Sequence, residues 1–196
     1  DSGSYEKVLD TALELADYAE LRGWQADARE QGRIVGIGVA SAVEPGVFDW
    51  NAYAIVGMPQ TGVPEGAVVS LDMMGRITVR VGFSMEGQGQ YTLISQIVAD
   101  YFAVEMDAVR VVYLDTQSAP PSFGPGGSRL GVAISGAVLG ACGKLAQKMA
   151  AVVAGVTGAE RDEVELRDGK FFVKGKPGAE MGLAQVAGMM LARSDL

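Results

Sequence analysis

Gly87-Gln88-Gly89-Gln90, leading into Tyr91 to Phe102, and Gly124-Pro125-Gly126-Gly127-Ser128-Arg129, leading into Leu130 to Ala154, are two glycine-rich turns that each open a stretch with helical patterning. Glycine lets a backbone approach a ligand closely, and the first turn of a helix offers unpaired N–H groups to an anion. Two such turns in one small chain suggest two hands around a single phosphate-bearing cofactor. In the first, the Gln88 and Gln90 amides both donate and accept, which suits the edge of a heterocycle such as a pterin. In the second, Gly126 and Gly127 can expose successive N–H groups. Ser128 adds a hydroxyl at the expected N-cap, and Arg129 adds a fixed positive charge. Each turn also has a plain reading: a helix entry after a strand in the first, a capped helix with a solvent-facing arginine in the second.

Working outward, Ser4 can cap a helix from Tyr5, with Leu9, Ala12, Leu13 and Ala16 on one face. A second helical stretch runs from Tyr18 to Gln31 and stops at Gly32. Gly36 to Val43 reads as a buried strand whose glycines suggest a neighbouring backbone. Asn51 to Val56 and Ala67 to Asp72 read as strands, and Met73-Met74-Gly75-Arg76 as a hairpin turn into Ile77 to Phe83. Val109 to Leu114 reads as a strand and Asp115 to Pro125 as a loop. The helix from Leu130 carries Gly136, Gly140 and Gly143, spaced to permit tight packing against a neighbour. A smaller unit follows: strands at Glu163 to Arg167 and Phe171 to Val173 around Asp168-Gly169, then a helix from Leu183 to Leu191. Helices and hairpins mix without a repeat, so the expected class is α+β. The whole of 1–196 is expected to form one domain, with possible subdomains at 1–155 and 156–196.

Composition narrows the chemistry. The chain has 196 residues, 16 basic and 24 acidic, for a net charge of −8, which argues against a nucleic-acid surface. Histidine is absent and Cys142 is the single cysteine, so the usual general base, the usual metal ligand and any internal disulfide are missing. Any metal is therefore expected to be carried by a cofactor, and no residue is singled out as catalytic or as a metal ligand. The apolar run Leu130 to Gly143 is shorter than the roughly 20 residues that span a bilayer, which favours a core helix over a membrane span. The polar start Asp1-Ser2-Gly3-Ser4 has no signal-peptide pattern, so the default expectation is a cytoplasmic protein.

Other patterns carry less. The Gly136 to Lys144 run lacks the glycine spacing of a phosphate loop and lies within a helix. Cys142 reads as a small core residue, Glu86 and Asp100 are too far apart to pair, and Glu44 reads as a hydrogen-bond acceptor at a strand end. Asp115-Thr116 suits either a ligand-side loop or an Asx turn. Met181, Met189 and Met190 read as core filling.

Taken together, Gly82-Phe83-Ser84-Met85-Glu86-Gly87-Gln88-Gly89-Gln90-Tyr91-Thr92 with Gln96-Ile97-Val98-Ala99-Asp100 resembles the large subunit of molybdenum hydroxylases. That group includes xanthine dehydrogenase, aldehyde oxidoreductase and aerobic carbon monoxide dehydrogenase. Asp1-Ser2-Gly3, Gly32-Arg33 through Gly36-Ile37-Gly38 to Glu44, Asp115-Thr116, Gly124 to Arg129, and Gly136-Ala137 fit the same pattern at similar spacing, so the resemblance covers nearly the whole chain. The Gly-Ser-Arg form is closer to the carbon monoxide dehydrogenase and bacterial aldehyde oxidase branches than to vertebrate xanthine oxidase.

The resemblance implies a molybdenum-cofactor-binding-domain-like fold of mixed sheets with packed helices. It implies molybdopterin, often as a cytosine dinucleotide, with molybdenum held by the pterin dithiolene. Gly87, Gln88, Gly89 and Gln90 would line the pterin side; Gly126, Gly127, Ser128 and Arg129 would bind phosphate. Departures matter as much. The family's catalytic glutamate, in a Gly-x-Gly-Glu-type motif, has no counterpart here, and the Gly-Gly-x-Phe-Gly segment is missing. Histidine is common where this chain has Gln90, and a small hydroxyl residue where it has Leu130. The chain thus resembles the middle of the large subunit, sharing its cofactor with missing segments. Expected partners are the rest of that subunit, iron–sulfur and FAD-bearing subunits, and a small-molecule substrate, in an oligomer. The alternative is a non-enzymatic structural or assembly module whose glycine turns bind no cofactor.

Overall fold

In the computed structural model, which describes residues 3–43, 55, 57, 65–113 and 115–192, the chain divides into two units between Glu44 and Pro45. The boundary suggested at 155/156 is crossed by a continuous helix, Leu130–Thr157. The strand expected at 51–56 falls on residues outside those described, apart from Ile55. Glu44 lies outside them too.

The first unit holds two helices, α1 (Tyr5–Leu15) and α2 (Tyr18–Glu30). Asp17 between them adopts a left-handed conformation with φ 46°. The Ser4 side chain makes no capping bond. On α1 only Leu9 and Leu13 are half-buried, and Ala12 and Ala16 are exposed. Gly36 to Val43 is not a strand: it is irregular and mostly exposed, and nearby Ile34 is fully exposed. The apolar pattern was right for a strand, but the described part of this unit offers no partner strand to its N–H and C=O groups.

The second unit is built on a hairpin. Asp72 Oδ1 accepts from the Met74 and Arg76 N–H groups at 2.9 Å each, and Gly75 supplies φ 82°. This turn joins β1 (Ala67–Leu71) to β2 (Ile77–Val81) in antiparallel register. Helix α3 (Gln90–Phe102) then crosses over to β3 (Val109–Tyr113), which lies parallel to β2. The sheet order is β1-β2-β3, so β2 is central. Its Ile77, Val79 and Val81 alternate onto one face and are fully buried.

The long helix α4 (Leu130–Thr157) packs against β1 and α3 on one side of the unit and reaches β4, β5 and α5 further along. Its buried residues Leu130, Ile134, Val138, Cys142, Ala146, Met149 and Val153 recur every three or four positions, the stripe a core helix needs. At 28 residues it is long and apolar enough to cross a membrane by length and composition, because the apolar pattern resumes after Lys144. The glycines do not serve the expected close packing. Nothing described lies within 4 Å of a Cβ placed at Gly136 or Gly140, and Gly143 meets only the Tyr101 hydroxyl at 3.7 Å.

Beyond α4, β4 (Val164–Arg167), β5 (Lys170–Val173) and β6 (Met181–Gly182) form an antiparallel sheet, followed by α5 (Leu183–Ala192). Phe171, Val173, Leu183 and Val186 join the same core cluster as the first sheet. The half-buried Met181, Met189 and Met190 pack against it. The architecture is α+β with mixed sheets and packed helices.

Candidate functional site

Three points of the first sheet lie along one edge. Val81, the last residue of β2, is opposite Ala67, the first of antiparallel β1, and opposite Tyr113, the last of parallel β3. The chain leaves this edge twice, through 82–89 into α3 and through 115–129 into α4. The second, longer connection returns to the edge. A Cβ at Gly82 would stand 2.2 Å from the Pro120 carbonyl oxygen, and one at Gly66 would stand 2.4 Å from Pro120 Cβ. Arg129, just before α4, reaches Glu65, just before β1. Both helix starts are thereby held at the same edge of the sheet. Tyr91 on α3 rests on Tyr113 at the end of β3, with ring centroids 4.5 Å apart.

In the first turn Gly87 and Gly89 take φ values of 102° and 78°, which a side chain would resist, and beyond their chain neighbours no atom of the described residues lies within 4 Å of where a Cβ would be. The backbone is therefore open to close approach. Gln88 and Gln90 part company. Gln88 is exposed and folds back on Glu86, accepting its N–H at 3.2 Å and donating to its carboxylate at 3.4 Å. Gln90, the first residue of α3, is buried, and its Oε1 has no hydrogen-bond partner among the described residues. A buried acceptor left unpaired costs about 1–3 kcal/mol unless a donor arrives. Burial, and then the Tyr113 hydroxyl beside it, push the Tyr91 hydroxyl up to about 12, so it stays protonated at neutral pH.

The second turn differs from expectation in two residues. Gly127 and Ser128 have φ values of 59° and 51°, and the Arg129 N–H donates to Gly126 O at 3.3 Å. Positive φ at both central residues is what a type I′ turn requires. Ser128 is therefore not the N-cap. Arg129 occupies that position, and no side chain caps the helix. Nor does Arg129 face solvent. Its side chain is 3% exposed, and Nη1 donates to Glu65 Oε1 at 2.7 Å and to Gly124 O at 3.0 Å. Phe123 lies 5.8 Å beneath the guanidinium. Glu65, whose side chain is fully buried, spends its other oxygen on the Ser122 hydroxyl, which in turn accepts the Gly124 N–H at 2.9 Å. The sequence gives no local sign of this partner, which lies 64 residues from Arg129. The N–H groups of Gly126, Gly127 and Ser128 have no partner among the described residues.

The remaining candidates resolve simply. Asp115 forms an Asx turn, its Oδ1 accepting the Gln117 N–H at 3.0 Å and its other oxygen accepting from Ser118. The Ser118 hydroxyl is the main cause that holds its carboxyl below the ordinary range. Cys142 is fully buried, and that burial pushes its thiol up to about 11. Among the described residues no three of His, Cys, Asp or Glu converge on a metal position. A groove of about 680 Å³ on the outer face of β4 and β5 is lined by exposed charges of both signs, including Asp162, Glu163, Arg167 and Lys174.

Residues 11–195 match the family described as the molybdopterin cofactor-binding domain. The nicotine 6-hydroxylase large subunit of Paenarthrobacter nicotinovorans is 27% identical over 187 residues, covering 95% of this chain and 23% of that protein. The carbon monoxide dehydrogenase large chain of Hydrogenophaga pseudoflava is 26% identical over 191 residues, again covering 95% and 23%. The crystal structure of quinoline 2-oxidoreductase from Pseudomonas putida 86 superposes with a TM-score of 0.64 at 26% identity, covering 98% of this chain and 24% of that one. The chain spans 23% of the length of both curated relatives.

Proposed function

The chain belongs to the molybdopterin cofactor-binding domains of molybdenum hydroxylase large subunits, and we propose that it supplies one wall of a cofactor site completed by other polypeptide. The observation that carries this reading is the Gln90 Oε1, unpartnered among the described residues, beside the open Gly87–Gly89 turn, with the unpartnered N–H groups of the second turn on the same sheet edge. A pterin ring carries N–H donors that would satisfy Gln90, and phosphate oxygens would satisfy the N–H groups of Gly126, Gly127 and Ser128. The residues present therefore fit the group.

In this role Gly87 and Gly89 admit the pterin against bare backbone, Gln90 offers its amide to the ring edge, and Gln88 would turn from Glu86 to offer its own. Gly126, Gly127 and Ser128 receive phosphate, and Arg129 holds their turn in shape. When bound, the molybdenum–pterin group supplies the oxygen-transfer and two-electron chemistry of an oxidoreductase. The chain's own residues bind and orient. Among the described residues none is assigned a proton-abstracting role, and the isolated chain is expected to be inactive toward any small-molecule substrate.

A single cysteine cannot hold an iron–sulfur cluster, so electron-carrying iron–sulfur and FAD subunits belong to the proposal as partners, as does the remainder of the large subunit. The cytosine dinucleotide form enters the proposal from the family resemblance alone, since a phosphate position at the second turn serves molybdopterin with or without the nucleotide. The test is molybdenum by elemental mass spectrometry, with oxidised-pterin fluorescence, on protein purified from its native host. Near-stoichiometric molybdenum and pterin support the cradle. Their absence in the assembled protein refutes it and leaves a structural module.

A further inference from the structure

We propose that Glu65 and Arg129 form a buried strut that positions the 124–128 turn, and that Arg129 is a positioning residue rather than a ligand of the phosphate. The inference rests on the cofactor reading above and assigns its phosphate side to backbone N–H groups.

The geometry separates the two roles. An arginine that meets an incoming phosphate needs open guanidinium N–H groups and uncompensated charge. Arg129 is 3% exposed at its side chain, and its Nη1 is shared between Glu65 Oε1 and Gly124 O. The Glu65 side chain is fully buried and cancels its charge. The contacts close a ring: Arg129 to Glu65, Glu65 to the Ser122 hydroxyl, Ser122 to the Gly124 N–H, and Gly124 O back to Arg129.

That ring clamps both ends of a turn whose two central residues, Gly127 and Ser128, have positive φ. Ser128 in particular takes a left-handed conformation that a residue with a Cβ resists. Such a conformation persists where its surroundings over-determine it. The strut also ties the start of α4 to the start of β1, so the turn is fixed relative to the sheet edge that carries the first turn.

The two roles predict opposite effects for one substitution. Glu65→Gln keeps the side-chain shape but removes the charge that neutralises Arg129. If Arg129 were a phosphate ligand, the released charge would hold cofactor as well or better. If it is a strut, the turn loosens and its N–H groups misalign; losing one N–H bond to phosphate costs about tenfold in affinity.

The experiment uses the assembled enzyme as its host makes it. Molybdenum and pterin are counted per folded protein, and limited proteolysis reports on the 115–129 loop. Expected results are reduced occupancy and faster loop cleavage in Glu65→Gln. Ser122→Ala, which leaves both charges in place, should shift both readouts the same way and remains informative if the charge variants fail to fold. The double variant Glu65→Gln with Arg129→Met should be no worse than Arg129→Met alone. Unchanged or raised occupancy in Glu65→Gln and Ser122→Ala, with loss confined to Arg129→Met, overturns the inference. If the unsubstituted enzyme carries no molybdenum or pterin, the cofactor reading itself has failed; the strut is then judged by cleavage, and an unchanged pattern in Glu65→Gln overturns it.

Discussion

Gly82→Ala tests how the second connection is held to the sheet edge. The added Cβ would stand 2.2 Å from the Pro120 carbonyl oxygen, with the Pro120 carbonyl carbon and Ser122 Cβ at 3.4 Å. A relaxed carbon–oxygen contact needs roughly 3.3 Å, so the loop must retreat by about 1 Å. The atom in the way is backbone, and no rotamer change relieves it. Overpacking of this kind costs about 1–3 kcal/mol. For a domain of this size that lowers Tm by roughly 2–12 °C. The displaced segment leads directly into the Ser122–Glu65–Arg129 ring, so a shift at Pro120 is transmitted to the second turn. Scanning calorimetry reads the stability, and molybdenum content per folded protein reads the turn. Gly23→Ala is the control. Gly23 is exposed inside α2 with nothing within 4 Å of its Cβ position, and the change should stabilise by about 0.5–1 kcal/mol. A Gly82→Ala protein with Tm unchanged within about 1 °C and full cofactor content would refute the reasoning.

Gly89→Ala meets no neighbour but must adopt φ 78°, so it should cost about 1–2 kcal/mol by calorimetry from backbone conformation alone. Phe102→Ala removes a fully buried ring at the end of α3 and should cost about 3–5 kcal/mol in a urea melt. Cys142 should resist a thiol-labelling reagent until the protein unfolds; rapid labelling of native protein would contradict its burial. Its folded pKa, raised to about 11 from 9.0, also sets a direction with pH. The folded state keeps the thiol proton after the unfolded chain begins to lose it, so this contribution to stability is intact below pH 9 and declines as pH rises toward 11. A stability profile that climbs across that window, once Cys142→Ala is compared, would count against the assignment.

Local chemistry made much of this fold legible. The Met73–Arg76 hairpin, both helix entries and the core stripe of α4 follow from turn residues and apolar period, which act over a few positions. Features set by distant partners were not legible. Arg129 reads in sequence as an available cation, and only the approach of Glu65 turns it inward. Ser4 and Ser128 have the right side chains for caps, yet neither makes one, because capping depends on backbone geometry that the residue type does not dictate. Gly36 to Val43 has the composition of a strand, but strand formation needs a neighbour, and pairing is a property of two segments. Gln88 and Gln90 look equivalent in sequence. The helix start sends one inward and leaves the other folded over Glu86.

Two helices begin on one edge of the sheet, and this has an electrostatic consequence. Each helix start carries a partial positive charge of about half an elementary unit from its aligned peptide dipoles, felt within the first turn. The edge therefore presents a local attraction for anions inside a chain of net charge −8. Peptide dipoles do not titrate, and the chain has no histidine to add a proton-dependent charge. The protein's side of anion capture at this edge should then add no titration from pH 6 to 8, a range set by the missing imidazole titration.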